Sequence, residues 1–242
     1  MTETPHDALF KAVFSQTEHA AGMLRTALPP GLVRHIAFST LAVCRNSFVD
    51  KALKERHADL LFGAEVGGRE AYFYFYFLAE HLSTVVPLMG LSLLSYEVRI
   101  WEGWVSEHRG ATRLPPIIPL VVHHSGTGWT ADVAFEALLD VEPEVYRELA
   151  PYVPRFRFLL EDLSVTSDEA LRTRAMTALG RLVFWSLKNA RTPEQLIRGI
   201  RSWLGLIRQV REAPNGAGAM AVIWKYILWS ASGLERRITS YA

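Results

Sequence analysis

At 242 residues, half of them hydrophobic and 21% charged, the chain is long and apolar enough to bury a real core and does not read as disordered. Its 26 basic and 25 acidic side chains leave a net charge of +1, so no global field draws it to nucleic acid, and any such contact has to come from a local patch. A lone cysteine, Cys44, excludes an internal disulfide and a Cys-rich zinc site.

The opening Met1 to Asp7 is polar and acidic, unlike a signal peptide. The longest apolar stretch, Ala71 to Ala79, falls far short of the ~20 residues that a spanning helix needs. No membrane association is expected, and the cytoplasm is the expected location.

Two short helices are predicted first. Leu9, Phe10, Val13 and Phe14 form one apolar stripe that Ser15-Gln16-Thr17 interrupts. Ala20, Ala21, Leu24, Ala27 and Leu28 resume the helical spacing until Pro29-Pro30-Gly31 ends it. A weak strand follows, around Ser39 to Arg45. Leu60 to Val66 is a short apolar run ending at Gly67-Gly68, and Tyr72 to Leu78 is aromatic on both faces of a period-2 pattern, as in a strand covered on both sides. A tight turn joins these two runs, so they are expected to pair as an antiparallel hairpin.

Leu91, Leu94, Val98, Trp101 and Val105 repeat at 3-4-3-4 spacing, with Glu97, Arg99, Glu102 and Glu107 on other faces, which predicts a helix. After Leu114-Pro115-Pro116, Ile117 to Val122 reads as a buried strand ending at His123-His124, which completes an α/β crossover. Phe156 to Leu160 resembles a further strand, and three helices are predicted to finish the chain. The second of these opens on Thr192-Pro193-Glu194-Gln195, a capping-box pattern with proline at the first helical position, and turns Ile200, Trp203, Ile207 and Val210 to one side. A soft boundary near 165 divides a core (1–165) from a C-terminal helical region (166–242) expected to pack on it.

The hairpin carries the candidate chemistry. Asp59 enters the first of its strands and Glu80 leaves the second, so the pairing brings both acids to one end of neighbouring strands. Two such carboxylates are a simple way to hold a hard divalent cation, which takes oxygen ligands and keeps several waters. Asp59 and Glu80 would ligate it, with the backbone carbonyl of His81 as a further oxygen. Two solvated strand-end acids would have the same composition, and both readings stand at this level. Residue 82 shares a strand face with residue 80, and Leu82 can neither ligate nor donate a hydrogen bond. Lys11 on the first helix, or Lys51, Lys54 and Arg56 just before Asp59, could supply a cationic head instead, although a solvated surface cation is the plainer reading of each.

His123-His124 invites a zinc reading, but strand neighbours point to opposite faces and would not chelate together. His124 fits either a phosphate contact or a hydrogen-bonded structural residue. Asp7 suits the positive end of the first helix and is also a candidate for a further metal-side carboxylate. Arg45, Lys51, Lys54, Arg56 and His57, with Arg69, make a basic stretch leading into the site that could position DNA phosphates without reading sequence.

Several motifs in order carry a resemblance over most of the chain: Pro5-His6-Asp7-Ala8-Leu9-Phe10-Lys11, Ser47-Phe48-Val49-Asp50, Glu55-Arg56-His57-Ala58-Asp59-Leu60-Leu61-Phe62, Glu80-His81-Leu82-Ser83, Tyr96-Glu97-Val98-Arg99-Ile100-Trp101 and Leu114-Pro115-Pro116 through His124. The chain resembles the Rpn family, recombination-promoting nucleases also described as YhgA-like transposases. The resemblance implies an α/β fold with a PD-(D/E)XK (restriction-endonuclease-like) core, a mixed central sheet flanked by helices, and added C-terminal helices. It also implies Mg²⁺- or Mn²⁺-dependent cleavage of DNA linked to recombination or mobile elements. Asp59 matches the metal-binding aspartate and Glu80 the glutamate; DNA is the implied partner, and a homodimer is compatible with the sequence. Family members commonly carry glutamine where this chain has Leu82, and a tyrosine where it has His123. The Leu82 departure leaves two readings: a nuclease with another group beside its metal, or a catalytically impaired relative that serves as a DNA-binding or protein-interaction module.

Overall fold

Gly67 and Gly68 fix the centre of the fold. In the computed structural model, which describes residues 4–44, 60–79, 86–189 and 192–239, both have positive φ, 59° and 75°. Two consecutive residues in that region make the turn whose twist matches flanking antiparallel strands, and only glycine takes it without strain. Around it β2 (Leu60–Val66) and β3 (Arg69–Ala79) pair antiparallel from Val66↔Arg69 to Leu60↔Phe75. The expected hairpin is therefore formed.

On one side, β1 (Ile36–Val43) pairs antiparallel with β2, with an irregularity in register between Ala37 and Ala42. It starts three residues before the expected Ser39. On the other side β4 (Ile117–His124) lies parallel to β3, from Tyr72↔Ile117 to Ala79↔His124. The short β5 (Leu159–Asp162) lies parallel to β4 and closes the order β1-β2-β3-β4-β5. This mixed sheet with helices on both faces is the expected class. Its order of helix, three strands, helix and strand is compatible with a PD-(D/E)XK core.

The expected strand at Phe156 to Leu160 is displaced toward the C-terminus. Phe156 stacks on Phe135 at 5.3 Å and Arg157 makes a lone bridge to Ala134, so this aromatic segment anchors the preceding loop before the chain joins the sheet.

Strand alternation divides the core. Leu60, Phe62, Phe73, Phe75, Leu120 and Val122 face the helices α1 (Pro5–Phe14) and α2 (Thr17–Ala27) and the C-terminal helices; Leu61, Tyr72, Tyr74 and Val121 face α4 (Met89–Glu107). Between α2 and β1 lies the single turn α3 (Pro30–Val33). The Tyr72 to Phe75 segment is buried on both faces, as its pattern predicts.

The side on which α4 packs is a correction. Met89, Leu93, Glu97 and Ile100 are buried, whereas Leu91, Val98 and Val105 of the expected stripe are 50%, 42% and 43% exposed. The helix is apolar over most of its girth, so two stripes compete, and the charge of Glu97 had marked the wrong side as solvent. Trp101 Nε1 donates to the Pro115 carbonyl at 2.8 Å and Trp104 Nε1 to Glu70 at 2.8 Å, which fixes the helix over the start of β3 and β4.

After the short α5 (Pro143–Leu149) and β5, the described residues contain four helices where three were expected: α6 (Asp168–Thr173), α7 (Ala178–Asn189), α8 (Pro193–Glu212) and α9 (Gly216–Thr239). They share one hydrophobic cluster with α1, α2 and the sheet. Trp185 of α7 and Trp203 of α8 stack at 5.0 Å, and Gly199 gives the room, since a Cβ there would come within 2.8 Å of the Trp185 ring.

Thr192 does occupy the N-cap of α8, but its side chain makes no cap hydrogen bond; the Gln195 and Leu196 amides donate to its carbonyl instead. The capping box that does form is at α1. The Asp7 amide donates to Thr4 Oγ1 and the Thr4 amide to Asp7 Oδ2, each at 3.2 Å. Asp7 is thereby a cap.

Candidate functional site

The polarity of the strands defines one edge of the sheet. β1, β3, β4 and β5 end there and β2 begins there, so Cys44, Leu60, Ala79, His124 and Asp162 lie along it. The candidate residues Asp59, Glu80 and His81, the departure Leu82, and the basic residues Arg45, Lys51, Lys54, Arg56 and His57 lie outside the described residues. Their described chain neighbours, Leu60 and Ala79, belong to this edge. Leu60 pairs with Phe75, and among the described residues β3 continues four residues to Ala79, paired there with β4.

The last residues of β4 point opposite ways, as strand geometry requires. His124 is buried, and its Nε2 donates to the Lys188 carbonyl at the end of α7, at 2.9 Å. His123 is fully buried, with Trp129 edge-on at 5.1 Å. The two therefore do not chelate one ion, and among the described residues no three His, Cys, Asp or Glu side chains are grouped to hold a metal.

β5 supplies a second turn of the edge. Asp162 accepts from the Trp129 amide at 2.7 Å and the Ser164 amide at 2.9 Å, and Ser164 Oγ accepts from the Ser125 amide at 2.8 Å. These bonds tie the loop after β4 to the end of β5, and they commit Asp162 to holding backbone.

The residue whose carbonyl meets His124 carries a cation that sequence spacing does not reveal. Lys188 Nζ donates to Asp168 Oδ1 at 2.6 Å, and Trp185 Nε1 donates to the other oxygen of the same carboxylate at 2.9 Å. His124 and Lys188 are 64 residues apart, and no local pattern joins them. Lys11, the candidate cation of the first helix, is half-buried on α1. That helix packs against β3 and α7, with Phe14 meeting Phe184 at 5.0 Å.

Arg69 is removed from the basic stretch. It is exposed at the hairpin turn, at the other end of β3 from Ala79. The strand is 11 residues long, or roughly 33 Å from end to end.

Electrostatics along the hairpin are structural. Tyr72 Oη donates to Glu70 at 2.7 Å; burial, then that carboxylate, raise the tyrosine pKa well above its usual value. Burial, with Glu70 adding to it, pushes the Cys44 thiol up to about 11, so it stays protonated and weakly reactive. On α4, burial raises the Glu97 carboxyl to about 7.

Fold and edge together define a mixed α/β protein in which the ends of β1, β3, β4 and β5 and the start of β2 lie at one side of the sheet. The family described as "Putative transposase, YhgA-like" matches residues 4–216, and the chain belongs to that family. Among curated proteins it is similar to "Recombination-promoting nuclease RpnD" of Escherichia coli O157:H7, 27% identical over 252 residues, with 99% of this chain and 86% of the relative covered. It is also similar to two proteins of Escherichia coli (strain K12). "Recombination-promoting nuclease RpnA" is 28% identical over 185 residues, covering 75% of this chain and 60% of the relative. "Inactive recombination-promoting nuclease-like protein RpnE" is 27% identical over 183 residues, covering 75% and 58%. The chain thus spans about three-fifths of the length of RpnA and RpnE. No solved structure matches. Among the described residues no helix is long and apolar enough to cross a membrane.

Proposed function

We propose that the protein is a metal-dependent DNA endonuclease acting in recombination or mobile-element events, built on a PD-(D/E)XK core. The observation that carries this reading is the sheet edge at which β2 starts and β3 ends, because Asp59 precedes the one and Glu80 follows the other in sequence. The family and the names of the relatives, two of them recombination-promoting nucleases, support it.

Asp59 and Glu80, with the His81 carbonyl, would hold Mg²⁺ or Mn²⁺, whose oxygen preference suits them. A bound cation would polarise the phosphoryl oxygen and lower the pKa of the attacking water. The protein's own work is to orient that water and neutralise the phosphate, and Lys11 is the proposed cation for it. DNA is the proposed partner, and a homodimer and a cytoplasmic location are part of the same reading.

Leu82 favours a second reading, in which the chain keeps the fold and has lost the chemistry, and the similarity to a relative named inactive supports it. Plasmid nicking by the wild type, Leu82→Gln and Leu82→Lys in Mg²⁺ or Mn²⁺ separates the two. Nicking by the wild type, abolished in Glu80→Gln, supports the enzyme. Activity that emerges only in the Leu82 variants supports the impaired relative.

A further inference from the structure

We infer that the outer face of α8 is a docking surface for the phosphate backbone of duplex DNA. The inference rests on the nuclease reading for the identity of the partner and adds a place where that partner lies.

The inner face of α8 is spent on the core, with Leu196, Trp203 and Val210 buried against α7 and α9. Between Glu194 and Glu212 the helix carries four arginines and no acid. At 100° per residue, Arg198, Arg201 and Arg208 fall within about 80° of arc, in one row down the exposed side. Gly205 lies in the same arc, and a side chain there would meet open space, so nothing stands over the middle of the row. Arg198 Nε donates to the Glu194 carbonyl within its own helix. None of the three guanidinium groups enters an ion pair with a described residue. In a chain with a net charge of +1, three unneutralised arginines on one rigid helix are a local excess that solubility does not call for.

The dimensions suit a nucleic-acid strand. Ten residues of helix separate Arg198 from Arg208, a rise of ~15 Å, along which one strand of a duplex passes about four phosphates. Guanidinium groups bind phosphate oxygens in a fork, and such contacts fix position without reading sequence. In the chain, the row follows the end of α7. Lys188, whose carbonyl accepts from His124 at the end of β4, is ten residues of chain before Arg198.

The test measures binding of a fluorescein-labelled 30-base-pair duplex by anisotropy across a salt series, in EDTA so that no cleavage intervenes. The full chain is compared with the triple variant Arg198→Ala/Arg201→Ala/Arg208→Ala, with Gly205→Glu, and with Arg113→Ala as a control on another exposed arginine. Thermal midpoints check the fold. The expected result is at least a tenfold loss of affinity for the triple variant at 0.1 M salt and a slope of log K against log salt shallower by about 2.7, ~0.9 for each phosphate contact removed. Gly205→Glu weakens binding with an unchanged midpoint, and Arg113→Ala binds as the parent does. Equal binding by parent and variants overturns the inference and leaves DNA as the partner. No binding by the parent overturns DNA as the partner and the inference with it. The exposed Ile197 and Leu204 on the same helix call for a parallel arm with phosphatidylglycerol vesicles. Variants that lose vesicle binding while keeping duplex binding assign the face to lipid and overturn the inference.

Discussion

Glu97 gives the sharpest quantitative handle on the fold, because an ionisable group on the buried face of α4 makes stability depend on pH in a calculable direction. The residue is 5% exposed, on the helix face that also buries Leu93 and Ile100, and burial raises its carboxyl from an ordinary 4.5 to about 7. The native state therefore holds this proton more tightly than the unfolded chain does. Stability from this group is complete below pH 4.5, falls as pH rises toward 7, and is flat above. Each pKa unit is ~1.4 kcal/mol, so the ionised form costs about 3 kcal/mol at pH 8. Glu97→Gln keeps the shape and removes the charge at every pH. Urea unfolding followed by tryptophan fluorescence at pH 4.5, 6, 7 and 8.5 is expected to give equal stabilities at the acid end and a variant more stable by about 3 kcal/mol at the alkaline end. A difference that does not change with pH, or a variant less stable at pH 8.5, would refute the burial of an uncompensated carboxyl and the packing face assigned to α4.

Three further substitutions probe the scaffold that carries the sheet edge. Trp185→Ala empties the stack against Trp203 and removes the Nε1 donor to Asp168; a loss of about 3–5 kcal/mol in urea unfolding is expected, and a loss below 1 would contradict the packing. Gly199→Ala drives a methyl toward the rigid Trp185 ring, and overpacking of ~1–3 kcal/mol should outweigh the ~1 kcal/mol that alanine contributes to a helix; a net gain in thermal midpoint would show that the ring yields. Gly67→Ala meets no neighbour, so its expected cost of ~1–2 kcal/mol is backbone strain alone, and an unchanged midpoint would argue against the φ of 59° at that turn.

Much of the topology was legible because it was written locally. Gly67-Gly68 demanded a tight turn, the flanking apolar runs supplied the strands, and β2 falls at the expected Leu60 to Val66. The proline pair before Ile117 marked the start of β4 just as clearly. What failed depended on tertiary context. Periodicity on α4 offered two apolar stripes, and only packing against Tyr72 and Tyr74 selects Met89, Leu93 and Ile100. Thr192 has the composition of a capping box but not its side-chain bond, while Thr4 and Asp7 have both. At the candidate edge, hairpin logic and family resemblance offered Asp59 and Glu80 as candidates, which lie outside the described residues. Neither could reveal the His124–Lys188–Asp168 chain of contacts, since nothing in a sequence links residues on β4, α7 and α6 across such separations.

Cleavage of supercoiled plasmid by the purified full chain in Mg²⁺ or Mn²⁺, beside an Asp59→Ala control of matched thermal stability, tests the nuclease assignment most directly. The prediction is nicking by the wild type that requires the divalent ion and disappears in the control. Equal nicking by the two proteins would contradict it.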